Sequence, residues 1–443
     1  MKSSLNCLTL KLPLIHREIL ALSIPAIITN ITTPLLGLVD VAITGHMGSA
    51  VYIAAIAIGG SMFNLIYWLF AFLRMGTSGI TAQAFGANDH RETSLTLYRS
   101  LLTASLIGIA MIALHYPMGH LLLRFLNPEN NVTAIAWLYF SIGIWGAPAF
   151  LGTFALSGWF LGMQDSKAAM YVSIVINISN ITLSLIFVYV LNYGIAGVAA
   201  GTLASQWIGF ATGLLLCRRK RYRLQRFAIG SIIHWRKMQR FFSVNIDIFF
   251  RTMCLVAVTL WFIRAGAGQS SVILSVNTLL MQLFLLFSYF MDGFAFAGEA
   301  LTGRFIGEQN NMRLRQCIKA LMLWGIVISV LFTAIYAVGG EEFLHLLSSD
   351  NAVITASSDY FWWAVAIPLS GFVAFTWDGI FIGATQTRAL LLSMATAAVV
   401  FFALYFRLFG EYKNHALWLA FICYLITRGV ILSFAAKRFN TTP

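Results

Sequence analysis

The stretch ILALSIPAIITNITTPLLGLVDVAIT, residues 19–44, holds one charged side chain, Asp40. It is long enough to cross the hydrocarbon core of a bilayer, which takes about 20 apolar residues. A carboxylate on a helix in lipid costs roughly 3 kcal/mol on insertion scales, so such residues face a protein interior or a water-filled cavity. Pro25 and Pro34 interrupt the same segment, with Asn30 between them, and together they mark a hinge near the charge. A protonatable group on a bendable helix points to a switch driven by an ion.

Working outward, the same composition recurs along the whole chain. Of 443 residues, 59% are hydrophobic and 10% charged, whereas a soluble domain has about 25% charged residues. Twelve apolar stretches follow one another, near 18–44, 51–75, 94–116, 133–158, 166–191, 195–217, 243–265, 272–299, 316–338, 355–380, 387–408 and 414–436. The expected fold is therefore an all-α polytopic membrane protein with twelve transmembrane helices. Unbroken apolar runs exclude a β-barrel, whose strands alternate in character.

The net charge of +13 is distributed in the pattern of a membrane protein. Nine Lys/Arg and no acid lie between Arg218 and Arg240, after the sixth stretch. Lys2, Lys11, Arg17, Arg313 and Lys437 fall on that same side of a twelve-span reading, which places both termini in the cytoplasm. Anionic headgroups of membrane lipids are the partner for this basic face, and no nucleic-acid partner is expected. Cys7, Cys217, Cys254, Cys317 and Cys423 have neither a CxxC pair nor metal spacing and read as free thiols. The opening MKSSLNCLTLKLPLIHRE has no h-region ending in small residues, so no cleaved signal peptide is expected.

An internal repeat organises the chain. TAQAFGAND from Thr81 matches TGRFIGEQN from Thr302, and GWFLGMQDSKAAM from Gly158 matches GIFIGATQTRALL from Gly379, both pairs 221 residues apart. Gly45 and Gly266 share that offset. The halves read as two six-helix bundles: residues 1–217, a basic cytoplasmic linker over 218–242, and residues 243–443. Six is even, so both bundles start on the same side, and a pseudo-two-fold axis along the membrane normal relates them. Duplicated bundles suit alternating access, in which one lobe rocks against the other. There is no HExxH, Walker loop or Ser/His/Asp arrangement, so no catalytic residues, metal site or cofactor are expected. Transport is the leading physical reading, and a monomer suffices mechanically.

Several motifs carry a family resemblance across essentially the whole chain. IPAIITNITTPLLGLVDVAITGHMGS (Ile24–Ser49), LRMGTSGITAQAFGA after the second span, GWFLGMQDS after the fourth and NISNITLSL in the fifth resemble multidrug and toxic compound extrusion (MATE) transporters. NIDIFFRTM, MDGFAFAGEA and WDGIFIGATQTRAL in the second half are similar to the DinF-like (DNA-damage-inducible) branch of that family. The resemblance implies a cation-coupled antiporter in the bacterial inner membrane that exports small organic compounds from the cytoplasm.

Carried over by motif, the resemblance places Asp40 beside Asn177, Asn180 and Thr202, with Tyr139 as a weaker match. The i, i+3 spacing of Asn177 and Asn180 puts both amides on one helix face. Ser184 stands where the family pattern usually has a second aspartate. One carboxylate among amides and hydroxyls is a poor Na⁺ cage, whereas proton exchange needs no second anion, so H⁺ coupling is favoured over Na⁺. The acid in this lobe suggests cationic, amphipathic substrates.

The second half carries another charge network, Arg251, Asp292 and Asp378. Some branches of the family have an acid at the Arg251 position, so arginine there argues against a second cation site. Pairing of Arg251 with Asp378 or Asp292 makes these charges tolerable in lipid. A lipid-linked oligosaccharide flippase is the competing function. It fits less well, because a pyrophosphate calls for several basic residues in the cleft and the first half's interior has almost none.

Overall fold

The computed structural model describes residues 13–47, 49–219, 222–225, 227, 229–232, 235–347 and 350–437. Cys7, Lys2, Lys11, Lys220, Arg221, Arg226 and the lead-in up to Leu12 lie outside them. Among the described residues there is no strand, and Cys217, Cys254, Cys317 and Cys423 are free thiols.

Helix α1 (Leu14–Gly45) runs unbroken through Pro25 and Pro34. Each proline removes one backbone donor. Thr29 Oγ1 donates to the Pro25 carbonyl and Thr32 Oγ1 to the Thr29 carbonyl, both at 3.0 Å. Hydroxyls bonded back along a helix in this way favour bending. The remaining spans of the first half follow in order. Helices α2 (Ala50–Leu69) and α3 (Phe72–Gly86) share one crossing, and α4 (His90–Ala113) makes the next. After the short α5 (His115–Leu126), α6 (Asn130–Gly143) and α7 (Ala147–Gly162) share a crossing through the 3₁₀ turn Ile144–Gly146. Helix α8 (Ser166–Leu185) ends in a π turn, Ile186–Val190, and α9 (Gly194–Cys217) completes six spans.

The second half contains α10 (Ile229–Ile232), α11 (Trp235–Ala267), α12 (Ser271–Gly307), α13 (Asn311–Leu347), α14 (Asn351–Ser358), α15 (Phe361–Gly383) and α16 (Thr387–Ala435). The 49 residues of α16 would reach about 74 Å if straight, at roughly 1.5 Å per residue. They do not stay straight: Lys413 adopts φ 45° and ψ −116°, and the chain doubles back. The Tyr424 hydroxyl reaches Met394 Sδ at 2.8 Å, and the Phe401 and Tyr424 rings lie 6.5 Å apart. Asn277 and Asn414 exchange hydrogen bonds of 2.8 and 2.9 Å beside this bend, and Trp418 Nε1 donates to Asn277 at 2.9 Å. The second half thus also has six spans, making twelve.

The chain divides into two compact units, Ile24–Asn245 and the residues from Ile246 onward, the latter including the start of α1 up to Ser23. Each unit repeats the other's construction at the 221-residue offset. Asn88 and Gln309 take left-handed φ values of 55° and 54°, and Gln164 and Thr385 take 61° and 53°. After each such residue the chain closes with the same local cap, five residues back: Asp89 N to Ala84 O and Asn310 N to Phe305 O, at 2.9 and 3.0 Å, then Asp165 N to Phe160 O and Gln386 N to Phe381 O, at 2.8 and 3.0 Å. Left-handed residues of this kind satisfy the last helical carbonyls.

Helix crossings repeat as well. A Cβ on Gly158 would strike the Arg74 carbonyl, and one on Gly379 the Ala295 carbonyl. Gly162 bears on Ser78 and Gly383 on Glu299 in the same manner. Lipid tails supply no hydrophobic drive between helices, so close backbone approach at small residues is what holds such bundles. Gly45, Gly86, Gly162 and Gly383 each end a helix.

Part of the basic linker is docked rather than free. Tyr222 is buried, its hydroxyl donates to Asp165 Oδ2, and its ring lies 5.1 Å from that of Trp159. Arg99, on α4, pairs with Glu92 at 2.8 Å and donates Nε to the Ile232 carbonyl at 3.0 Å. Arg99 is thus the buried anchor of α10.

Candidate functional site

Asp40 sits five residues before the end of α1 and is 6% exposed. Its Oδ1 is buried without a hydrogen-bond partner, and it forms no ion pair among the described residues. Most buried polar atoms in native proteins are satisfied, so an exception at a lone carboxylate calls for an explanation in function.

Around it, the first unit assembles several predicted residues. Tyr139, from α6, is buried, with its ring 6.1 Å from that of Phe63. Asn180 of α8 donates Nδ2 to Thr202 Oγ1 of α9 at 2.9 Å, and the Thr202 hydroxyl in turn donates to the Val198 carbonyl at 3.1 Å. Asn180 Oδ1 and Ser184 Oγ are both buried without partners. Ser184 packs against Gly201, where a Cβ would collide with it. That glycine is what lets α8 and α9 approach closely enough for Asn180 to reach Thr202.

Asn177 points elsewhere. Its Nδ2 donates to the Thr32 carbonyl of α1 at 3.3 Å, eight residues before Asp40 and therefore about 12 Å away along the axis. The two amides share a helix but serve different neighbours: Asn177 ties α8 to the middle of α1, and Asn180 ties it to α9. Past Ser184 the π turn begins, and Tyr189 within it donates to the Ile43 carbonyl at 3.3 Å. Single π turns are often found at functional sites. Here one fastens the C-terminal end of α1 three residues from Asp40.

An aromatic wall stands beside Tyr139 that the sequence did not single out. Phe63 lies 6.1 Å from Tyr139, and Tyr67 stacks on Phe150 at 3.8 Å. The only sequence signal was a high aromatic content, which does not distinguish a cavity wall from a lipid-facing surface.

In the second unit, Arg251 of α11 pairs with Asp378 of α15, selecting one of the two acids expected for it. Arg428 of α16 donates to the same carboxylate oxygen at 2.6 Å. It also lies 5.4 Å from the Tyr424 ring. All three charged groups are buried. Arg428 was not anticipated, since a single arginine in the last span has no motif around it. Asp292, on α12, is half-buried. Among the described residues, no group of three or more His, Cys, Asp or Glu side chains is arranged to hold a metal ion.

Comparison with known proteins adds a lineage to this geometry. The family model described as MatE matches residues 25–186 and again 246–407, two blocks separated by the repeat offset. The chain is 35% identical to DNA damage-inducible protein F of Escherichia coli (strain K12), over 94% of this chain and 91% of that protein. It is 21% identical to the probable multidrug resistance protein NorM of Thermotoga maritima, over 78% of this chain and 75% of that one. A solved structure described as the outward-facing conformation of a multidrug resistance MATE family transporter of the MOP superfamily shares the fold, with TM-score 0.87, 18% identity and 96% of each chain covered.

Proposed function

We propose, from the premise that this chain belongs to the MatE family of multidrug transporters, that it is an H⁺-coupled antiporter exporting cationic, amphipathic organic compounds by alternating access. The family moves molecules across membranes and does not transform them; the chain is a multi-pass transporter, not an enzyme. The bacterial inner membrane is its proposed location, with both termini in the cytoplasm and a monomer as the working unit. The working halves are residues 1–217 and 243–443, joined by the basic segment 218–242.

The observation that supports this reading is the state of Asp40, a buried carboxylate whose Oδ1 has no partner. An ionised carboxylate in such a place is costly unless a cation accompanies it. A proton meets that need on one oxygen, without a cage of anionic ligands. Na⁺ would have to draw on the neutral oxygens of Asn180, Ser184 and Thr202, because Ser184 supplies no second charge.

In the proposed cycle, Asp40 takes a proton from the outside. Helix α1 then bends near Pro25, Asn30 and Pro34, the first lobe's cavity narrows and substrate leaves outward. Return to the inward-facing state releases the proton to the cytoplasm. The Arg251–Asp378 pair, with Arg428, serves in this reading as a fixed charge network of the second lobe, joined in the sequence reading by Asp292.

The test is transport in sealed proteoliposomes driven by a pH gradient or by a Na⁺ gradient of equal size. The proposal expects uptake of a lipophilic cation with the pH gradient only, lost in Asp40→Asn. Uptake driven by Na⁺ at constant pH would replace the proton with Na⁺, and full transport by Asp40→Asn would remove Asp40 from the mechanism.

A further inference from the structure

A groove of about 450 Å³ opens in the second unit, where the first turns of α1 meet α13. That volume lies within the range of small-molecule sites, roughly 300–1,000 Å³. From α1 it is lined by Leu14, His16 and Glu18, and from α13 by Arg313, Lys319 and Leu323.

The lining has a graded chemistry. Arg313, Gln316, Lys319 and Leu323 recur every three or four residues, so they form one stripe of α13. The stripe is basic near the helix start and apolar further in. Leu14 and Leu323 line the same groove and are 56% and 52% exposed, so their apolar side chains are open to a ligand. Glu18, the acid in the lining, is engaged by Arg304 at 3.5 Å, and Arg304 also holds Glu308 at 2.7 Å. Arg313 and Lys319 have no carboxylate partner among the described residues. The Arg313 guanidinium lies over the Phe305 ring at 5.9 Å. His16 meets Trp324 edge-on at 6.3 Å.

We propose that this groove binds one anionic phospholipid, with the phosphodiester held by Arg313 and Lys319 and an acyl chain laid along Leu14 and Leu323. Charge complementarity selects this occupant. Basic pockets between spans at a membrane surface recognise anionic headgroups. The segment preceding Pro13 carries Lys2 and Lys11 and no acid, so its charge opposes those of the groove. Bound lipid would bridge the start of α1 to α13 within one compact unit and steady the near end of the helix that carries Asp40.

Native mass spectrometry of the full chain in detergent tests this, by titration with phosphatidylglycerol or with phosphatidylcholine of matched chains. The wild type should retain phosphatidylglycerol at least about fivefold more tightly. The double variant Arg313→Ala/Lys319→Ala should lose roughly tenfold or more of that affinity, since each basic residue near an anionic surface contributes about a factor of five. Arg313→Lys/Lys319→Arg should keep it, and all variants should melt with the wild type in phosphatidylcholine. Equal retention of the two lipids, or undiminished retention by the alanine variant, would overturn the proposal. So would displacement of lipid by millimolar inorganic phosphate, or stronger lipid binding after removal of residues 1–12, because either result names a different occupant.

Discussion

Asn180 donates its amide to Thr202 Oγ1 at 2.9 Å, while its own carbonyl oxygen is buried and accepts nothing from the described residues. Ser184, one turn further along α8, likewise keeps a buried hydroxyl without a partner. Buried polar atoms in native folds are satisfied in about nine cases of ten. Two exceptions on one helix face, in the unit that holds the unpaired Asp40, leave spare acceptor capacity in the candidate site.

The first prediction concerns Asp40. Asp40→Asn should bring gradient-driven transport down to the level of empty vesicles. It should leave the melting temperature in detergent equal to the wild type's or higher, because a buried charge without a partner is removed. A fall of several degrees with transport retained would make Asp40 a structural carboxylate.

Thr202→Val tests the hydrogen-bonded set. It strands the Asn180 amide, at a cost of about 1–3 kcal/mol. Thr202→Ser retains the hydroxyl and should recover most of both stability and transport. Thermal unfolding followed by size-exclusion measures the first, and vesicle uptake the second. Indistinguishable Val and Ser variants would mean the hydroxyl is idle.

Asp378→Asn should be the most destabilising of these changes. It leaves Arg251 and Arg428 buried against each other without their shared carboxylate, and breaking a buried pair costs roughly 3–5 kcal/mol. Adding Arg428→Met to Asp378→Asn should restore part of that loss, since one stranded cation is then gone. A double variant no more stable than the single one would show that the two guanidiniums do not repel.

The repeated crossings give matched variants. Gly162→Val and Gly383→Val should each destabilise by about 1–3 kcal/mol through overpacking, because Cβ atoms there meet the backbone of the facing helix. Gly37→Ala meets nothing within 4 Å and should be neutral or stabilising by up to about 1 kcal/mol. Unfolding in detergent compares the three, and a tolerated Gly162→Val would mean that the first-unit crossing is loosely packed.

How much of the site was legible follows from which contacts are local. Asp40 stands out because one acid in an apolar run can be seen without knowing any neighbour. Asn177 and Asn180 were legible as sharing a face. Their different partners, Thr32 and Thr202, were not, because the direction of an amide depends on which helix packs opposite. The pairing of Arg251 with Asp378 was one of two options on charge grounds. Arg428 completes it from 177 positions beyond Arg251, a distance over which a sequence holds no geometric information. Tyr222 read only as part of a basic run, and its burial against Trp159 and Asp165 depends on where α4, α7 and α8 end.

By itself the sequence determined the membrane class, the duplicated plan and the family. Apolar run length answers to bilayer thickness, and the matched motifs and their glycines recur 221 positions apart because each half must end its helices and cross them in the same way. Only the tertiary structure decided that Asn177 serves α1 while Asn180 serves α9, and that two arginines share Asp378. Those outcomes depend on the packing of helices far apart in the chain, where side-chain reach and the close approach allowed by glycine settle which polar groups meet.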